Sequence, residues 1–137
     1  MPTKKSDFQK LADMRVREAK VLLDAGEWDG AYYLVGYAVE CALKACIIKR
    51  LNTSDLWLEK SFLDKLYTHD LPQLLKTADL ESEMRLSGPV DLRWADVKDW
   101  SEKSRYEIGK DEVLVRRFFE AITDPAEGVL QWIKSRW

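Results

Sequence analysis

The segment WDGAYYLVGYAVECALKACII, residues 28–48, decides the fold of this chain. It is apolar at nearly every position, but the carboxylate of Glu40 and the ammonium of Lys44 interrupt it. Each of these charges would cost about 2.5–3.5 kcal/mol at the centre of a membrane-spanning helix. In a water-soluble protein, a helix that is apolar on every side is a central one, contacted by several neighbours. The segment therefore predicts a core helix from about Trp28 to Leu51 and argues against a membrane partner.

Composition favours one soluble domain over residues 1–137. The formal net charge is −2, with 22 basic and 24 acidic residues well mixed, so no general electrostatic attraction draws the chain to nucleic acid. Any contact with RNA therefore has to come from a local patch of residues on the surface. Cys41 and Cys46 lie on different sides of one predicted helix and fit buried free thiols, and the charged N-terminal residues form no apolar signal. We therefore expect a cytoplasmic protein.

The rest of the chain is also predicted to be helical. Ser6 to Gly26 carries an apolar stripe of helical period, with Ser6 and Gln9 spaced as a capping box and Gly26 at the end. The close spacing to the next helix favours an antiparallel hairpin. Further helices are predicted over Ser54–Leu66, from Pro72, over Val90–Tyr106 and from Glu112 to the end, with a restart at Pro125 capped by Asp124. The fold class is an all-α bundle of four or five main helices.

Several of these stretches together resemble a known family. They are residues 28–45, the Leu-Ala-x-x-Arg…Glu-Ala-x-x-Leu-Leu helix of residues 11–23, YTHDL at 67–71, WSEKSRY at 100–106 and VLQWI at 129–133. In this order they resemble HEPN domains (higher eukaryotes and prokaryotes nucleotide-binding). The resemblance covers nearly the whole chain and implies an up-and-down four-helix bundle with one or two short extra helices, paired as a homodimer.

The resemblance also implies a reaction. Many HEPN domains are metal-independent ribonucleases, and some are toxins encoded beside a small nucleotidyltransferase antitoxin. Their signature is an Arg followed after four to six residues by a His, in which the cation holds the phosphate and the imidazole moves the proton of the 2′-hydroxyl. Arg105 matches the Arg, but Lys110, Asp111 and Glu112 stand where the His should be. The sole histidine, His69, lies upstream of Arg105.

Three functions follow as hypotheses. The first is a dimeric module that binds RNA, a nucleotide or a nucleotidyltransferase partner. One form of this hypothesis is that the module is one half of a toxin–antitoxin pair. The second is a ribonuclease toxin in which Arg105 acts with a non-standard base, either His69 or Tyr106. The third is a purely structural helical dimer. Structural interpretations stay open for each candidate catalytic residue: Arg105 paired with Glu40, Tyr106 as a packed ring, and His69 in capping or local hydrogen bonding at a helix start.

One broad side of the core helix is the candidate binding surface. It carries Asp29, Tyr33, Tyr37, Glu40 and Lys44 at steps of three and four residues. We expect this side to line a dimer cleft into which Arg105 also points, and the alternative is a buried polar network that fixes helix register. The apolar surface of this helix and of Trp132 and Trp137 favours dimerisation. The sequence has no metal-ligand spacing and no glycine-rich phosphate loop, so we expect no metal and no other cofactor.

Overall fold

The computed structural model describes residues 4–52 and 64–137, and these residues form an α-helical bundle. The helix predicted over Ser54–Leu66 falls mostly outside the described residues, of which 64–66 are helical. Within the described ranges the regular structure is helical throughout, which confirms the predicted all-α class.

The first two helices, α1 (Lys5–Asp24) and α2 (Trp28–Asn52), form the predicted antiparallel hairpin. The buried stripe of α1 consists of Phe8, Ala12, Ala19 and Leu23. Gly26 makes the reversal with a φ of +78°, a conformation that glycine adopts without steric cost. The predicted capping box is wrong, because α1 begins at Lys5 and its N-cap residue makes no side-chain hydrogen bond, which leaves Ser6 inside the first turn.

Helix α2 is the centre of the bundle. Every residue from 38 to 48 is buried, since α2 packs against α1 and against four later elements. By length and composition alone α2 is long and apolar enough to cross a membrane, but 78% of its most apolar window is buried inside this fold. Burial by neighbouring helices is what the opening segment predicted for a core helix.

The later elements are short and wrap around α2. They are α3 (Leu71–Thr77), α4 (Glu81–Arg85), α5 (Pro89–Val97), a 3₁₀ helix (Glu102–Tyr106), α6 (Glu112–Thr123) and α7 (Val129–Lys134). Pro72 lies in the first turn of α3, as predicted, and Pro89 opens α5 after the break at Gly88. The core joins Leu43 and Ile47 of α2 to buried side chains of α3, α6 and α7, such as Leu74, Ile122 and Ile133.

Two predicted boundaries are wrong, each for a physical reason. The helix predicted over Val90–Tyr106 ends at Val97, because the chain turns there and buries the Trp100 indole against α2. The predicted restart at Pro125 comes later, at Val129. The Asp124 carboxylate accepts hydrogen bonds from the Ala126 and Glu127 amides at 2.9 and 2.8 Å, and this holds the intervening residues in a turn.

Candidate functional site

Three aromatic rings form a row along one side of α2. The Tyr33 ring stacks on Tyr37 with a centroid distance of 6.1 Å and on Trp100 with a centroid distance of 6.0 Å. Tyr33 and Tyr37 are four residues apart on the helix, and both are half-buried, so their outer edges reach solvent. We call Tyr37, Tyr33 and Trp100 the aromatic row.

The aromatic row has an arginine near each tyrosine. The guanidinium of Arg15 lies 5.9 Å from the Tyr37 ring. Arg105 is exposed and lies 5.0 Å from the ring of Tyr106. The Tyr106 phenol, and then hydrogen bonding with Tyr33, raise the pKa of Arg105 above its ordinary value. Arg105 is thus a solvent-facing cation beside Tyr33, the middle ring of the row.

Glu40, Lys44 and His69 form a polar cluster one turn further along α2. Glu40 and Lys44 are 1% and 2% exposed, and Lys44 Nζ lies 3.0 Å from Glu40 Oε2. His69 Nδ1 lies 2.9 Å from the same oxygen, while the His69 side chain is 46% exposed. Among the contacts of the described residues, Glu40 Oε1 is buried with no hydrogen-bond partner. The buried carboxylate therefore positions an accessible imidazole.

A cavity of about 540 Å³ lies beside this cluster. Its lining combines the entry to α3, including His69 and Asp70, with the segment from Lys98 to Lys103. Trp100 belongs both to this lining and to the aromatic row, so the cavity and the row are adjacent. In the described ranges the Trp100 Nε1 donor is buried and makes no hydrogen bond.

Asp29 fixes the loop that follows the 3₁₀ helix. Its carboxylate oxygens accept hydrogen bonds from the Gly109 amide at 3.0 Å and the Lys110 amide at 2.8 Å. The Lys110 ammonium then lies 4.1 Å from the Tyr32 ring centroid. Since residues 107–110 come directly after Arg105 and Tyr106, Asp29 helps to hold that end of the site in place.

A family model described as the HEPN domain matches residues 7–136. The chain belongs to the HEPN domain family. No curated protein and no solved structure matches the sequence. The match extends over almost all of the chain, which confirms the resemblance found in the sequence and agrees with the all-α fold.

The HEPN candidate residues fall into two groups. Tyr33, Tyr37 and Arg105 lie together on one accessible side of the molecule. Glu40 and Lys44 do not line an open cleft as predicted, because both are buried within one chain, and they lie beneath His69 instead. The alternative prediction, a buried polar network, describes these two residues. It also removes one argument for dimerisation, since a single subunit already covers the second half of α2.

The structural interpretations of three residues are also corrected. Arg105 does not pair with Glu40, whose Oε2 contacts Lys44 and His69. Tyr106 is not a packed ring, because it is 76% exposed. His69 does not cap α3: Asp70 Oδ1 accepts from the Gln73 amide, while His69 reaches back to Glu40, 29 residues earlier in the chain. Their catalytic roles stay predictions.

Both cysteines are buried, as predicted, and their surroundings explain why they are poor nucleophiles. Burial raises the pKa of Cys41 to about 12 and that of Cys46 to about 11. A buried thiol with a pKa raised in this way stays protonated at neutral pH, and the thiol is a much weaker nucleophile than the thiolate. Across the described ranges, no group of three or more His, Cys, Asp or Glu side chains is placed to hold a metal ion.

Sequence reasoning missed how the wall of the cavity is built. The helix predicted over Val90–Tyr106 includes Trp100, and the family pattern that includes Arg15 predicts no contact for it. The signal that was present is Gly36, a glycine in the middle of a long helix, since such a residue often marks the close approach of another element. An ideal Cβ at Gly36 would lie 2.2 Å from Trp100 Nε1.

Proposed function

We propose that this HEPN domain is a homodimeric module that binds RNA or a nucleotide through the aromatic row and Arg105. The observation that carries the proposal is the position of the exposed Arg105 guanidinium beside Tyr33, the middle ring of the stacked row. Within the row, Tyr33 and Tyr37 are half-buried and reach solvent, and accessible aromatic side chains stack on unpaired bases. A guanidinium next to them supplies the planar, bidentate cation that binds phosphate well.

The electrostatics favour a local contact of this kind. The chain has a net charge of −2, so affinity has to come from stacking and from a few well-placed cations. Arg15 near Tyr37 and Arg105 near Tyr33 place one cation near each of the two tyrosines. This spacing suits a short single strand or one nucleotide better than a long duplex, which is bound mainly through its phosphates.

The experiment measures binding of a fluorescent single-stranded 12-nucleotide RNA by anisotropy, in EDTA, at several salt concentrations. Replacement of Arg105 by Ala should weaken binding and reduce the slope of log affinity against log salt by about 0.7, the value for one phosphate contact on a single strand. The matched control is Arg85→Ala, since Arg85 is exposed and, among the described residues, forms its ion pair with Glu81 on α4. Equal losses in both variants, or undetectable binding by the native protein, would contradict the proposal.

Dimerisation and a nucleotidyltransferase partner belong to the same proposal. A second copy would place two Arg105 side chains in one assembly. A nucleotidyltransferase partner fits a role in a toxin–antitoxin pair. Light scattering at micromolar concentration tests the dimer. Co-purification from the host, followed by identification of the associated chain, tests the partner. Recovery of the HEPN protein as a monomer without a nucleotidyltransferase would reject both.

Ribonuclease activity is the second candidate function, and one contact favours it. Glu40 holds His69 through Nδ1, which is how a carboxylate orients a histidine for proton transfer. Incubation of RNA with purified protein in EDTA tests the idea, with Arg105→Ala, Tyr106→Phe and His69→Ala as variants. Cleavage that survives all three substitutions identifies a contaminant. Absence of cleavage by the native protein leaves binding as the function.

A further inference from the structure

Two buried polar atoms near the contact between Trp100 and α2 have no hydrogen-bond partner among the described residues. They are Glu40 Oε1 and Trp100 Nε1, on side chains that are 1% and 3% exposed. The carboxylate oxygen accepts hydrogen bonds, and the indole nitrogen can only donate one. A buried polar group without a partner is costly, and native proteins satisfy nearly all such groups. The two atoms are therefore complementary in kind.

The two atoms also belong to the same side of α2. The indole packs over Gly36, and Cδ1 and Nε1 are the ring atoms nearest to a Cβ placed there. Glu40 follows one turn later on the same side. Because helical side chains lean towards the N-terminus, the Glu40 side chain extends back towards the turn that carries the indole. His69, which contacts Glu40 Oε2, lines the same cavity as Trp100.

One water molecule satisfies both atoms. They form no direct hydrogen bond with each other, so the gap between them is longer than a hydrogen bond. A water that accepts from the indole N–H and donates to the carboxylate spans roughly 4.5–5 Å with two hydrogen bonds of ordinary length. Buried waters are held in this way by polar groups that are otherwise unpaired. A metal ion does not fit, because the indole nitrogen offers a proton and no free electron pair.

We infer that an internal water molecule is bound between Trp100 Nε1 and Glu40 Oε1, and that Glu40 positions the indole through it. Oε2 of the same carboxylate contacts Lys44 and His69. One buried carboxylate thus holds the imidazole directly and the indole through water. Since Tyr33 stacks on Trp100, the water also fixes the orientation of the aromatic row. Glu40 is a positioning residue for a surface from which it is itself buried.

The experiment detects the water from the indole proton itself, by NMR of protein with isotope-labelled tryptophan. The Trp100 Nε1–H signal is identified as the one that is lost in Trp100→Phe. Cross-peaks between this proton and water are recorded as both NOE and ROE, whose relative signs separate a bound water from chemical exchange. The native protein should show the cross-peak of a bound water. Its absence would overturn the inference, and this result requires no folded variant at Glu40.

Two double variants test whether Glu40 is the acceptor. E40M/K44M removes both charges of the buried pair together, so it leaves no uncompensated ion, and methionine has only a weak acceptor there. E40Q/K44M is the matched control, because the glutamine amide has the size of the carboxylate and binds water through either end. The water cross-peak should be lost in E40M/K44M and retained in E40Q/K44M. The same result in both variants, whether loss or retention, would overturn the role of Glu40. Thermal unfolding verifies that each variant is folded.

The effect on the aromatic row has a second readout, which rests on the proposed function. Affinity for the single-stranded RNA should be about three- to tenfold lower in E40M/K44M than in E40Q/K44M, the value of one hydrogen bond. The loss should exceed that in His69→Ala, which removes only the imidazole contact. Equal affinities in the two double variants would reject the positioning role. If the native protein shows the water cross-peak but binds no RNA, the proposed function fails and the water site stands. If RNA binds and the cross-peak is missing, the function stands and this inference fails.

Discussion

The indole of Trp100 lies against the backbone of α2 at Gly36. An ideal Cβ at this position would lie 2.2 Å from both Cδ1 and Nε1 of the ring, and Trp100 itself is only 3% exposed. This approach places the indole next to Tyr33 and forms one wall of the cavity. The absence of a side chain at Gly36 therefore allows the segment after α5 to pack against the central helix and to form part of the candidate site.

Replacement of Gly36 by Ala should destabilise the protein by about 1–3 kcal/mol, although alanine is the better helix former by about 1 kcal/mol. The methyl group would displace a buried ring that has little room to move. Urea denaturation measures the change. Gly30→Ala is the matched control, because its Cβ would lie 3.0 Å from Leu22 Cδ1, the end of a flexible side chain. Equal stabilities for the two variants would show that the indole adjusts freely.

Replacement of Lys44 by Met should cost about 3–5 kcal/mol, because it leaves the buried Glu40 carboxylate without its cation. The double variant E40Q/K44M should be more stable than Lys44→Met alone, since it removes both charges. Lys20→Met is the control at the same helical spacing, because the pair between Lys20 and Asp24 is exposed and worth at most about 1 kcal/mol. Equal free energies of unfolding for Lys44→Met and Lys20→Met would contradict a stabilising role for the buried ion pair.

Replacement of Asp29 by Ala should release the loop over residues 107–110. The Gly109 and Lys110 amides lose a charged acceptor, at an expected cost of about 1–2 kcal/mol. Hydrogen exchange of these two amides should accelerate, while the amides at the centre of α2 keep their protection. Asp29→Asn retains one side-chain oxygen and should show an intermediate rate. Unaltered exchange in Asp29→Ala would mean that the loop is held by other contacts.

The cysteines predict how stability depends on alkaline pH. Burial raises the pKa of Cys41 to about 12 and that of Cys46 to about 11, from a value of 9.0 in the unfolded chain. Above pH 9 the unfolded state loses these protons first, so the free energy of unfolding should fall as pH rises towards 11–12. The double variant C41A/C46A should show a shallower decline between pH 9 and 10. A thiol reagent at pH 8 should react with the native protein only after denaturant is added.

The sequence by itself determined the fold class, the central helix and the family. Residues 28–48 are apolar on every side, and such a segment has one stable place in a soluble bundle, which is the middle. The signals at Gly26 and Pro72 also placed helix boundaries correctly, since glycine permits a positive φ and proline fixes φ for a first helical turn. Local preferences of this kind do not depend on distant parts of the chain.

Only the tertiary structure decided which polar groups meet. Glu40 was expected at a dimer cleft beside Arg105, but it contacts His69 from a segment 29 residues away, and Asp29 contacts amides 80 and 81 residues away. Helical periodicity predicts which residues share one side of a helix, but it does not predict which later segment packs against that side. Burial decides these contacts. The Trp100 indole packs over Gly36, and α5 therefore ends at Val97. Arg105 and Tyr106, which follow, lie in solvent.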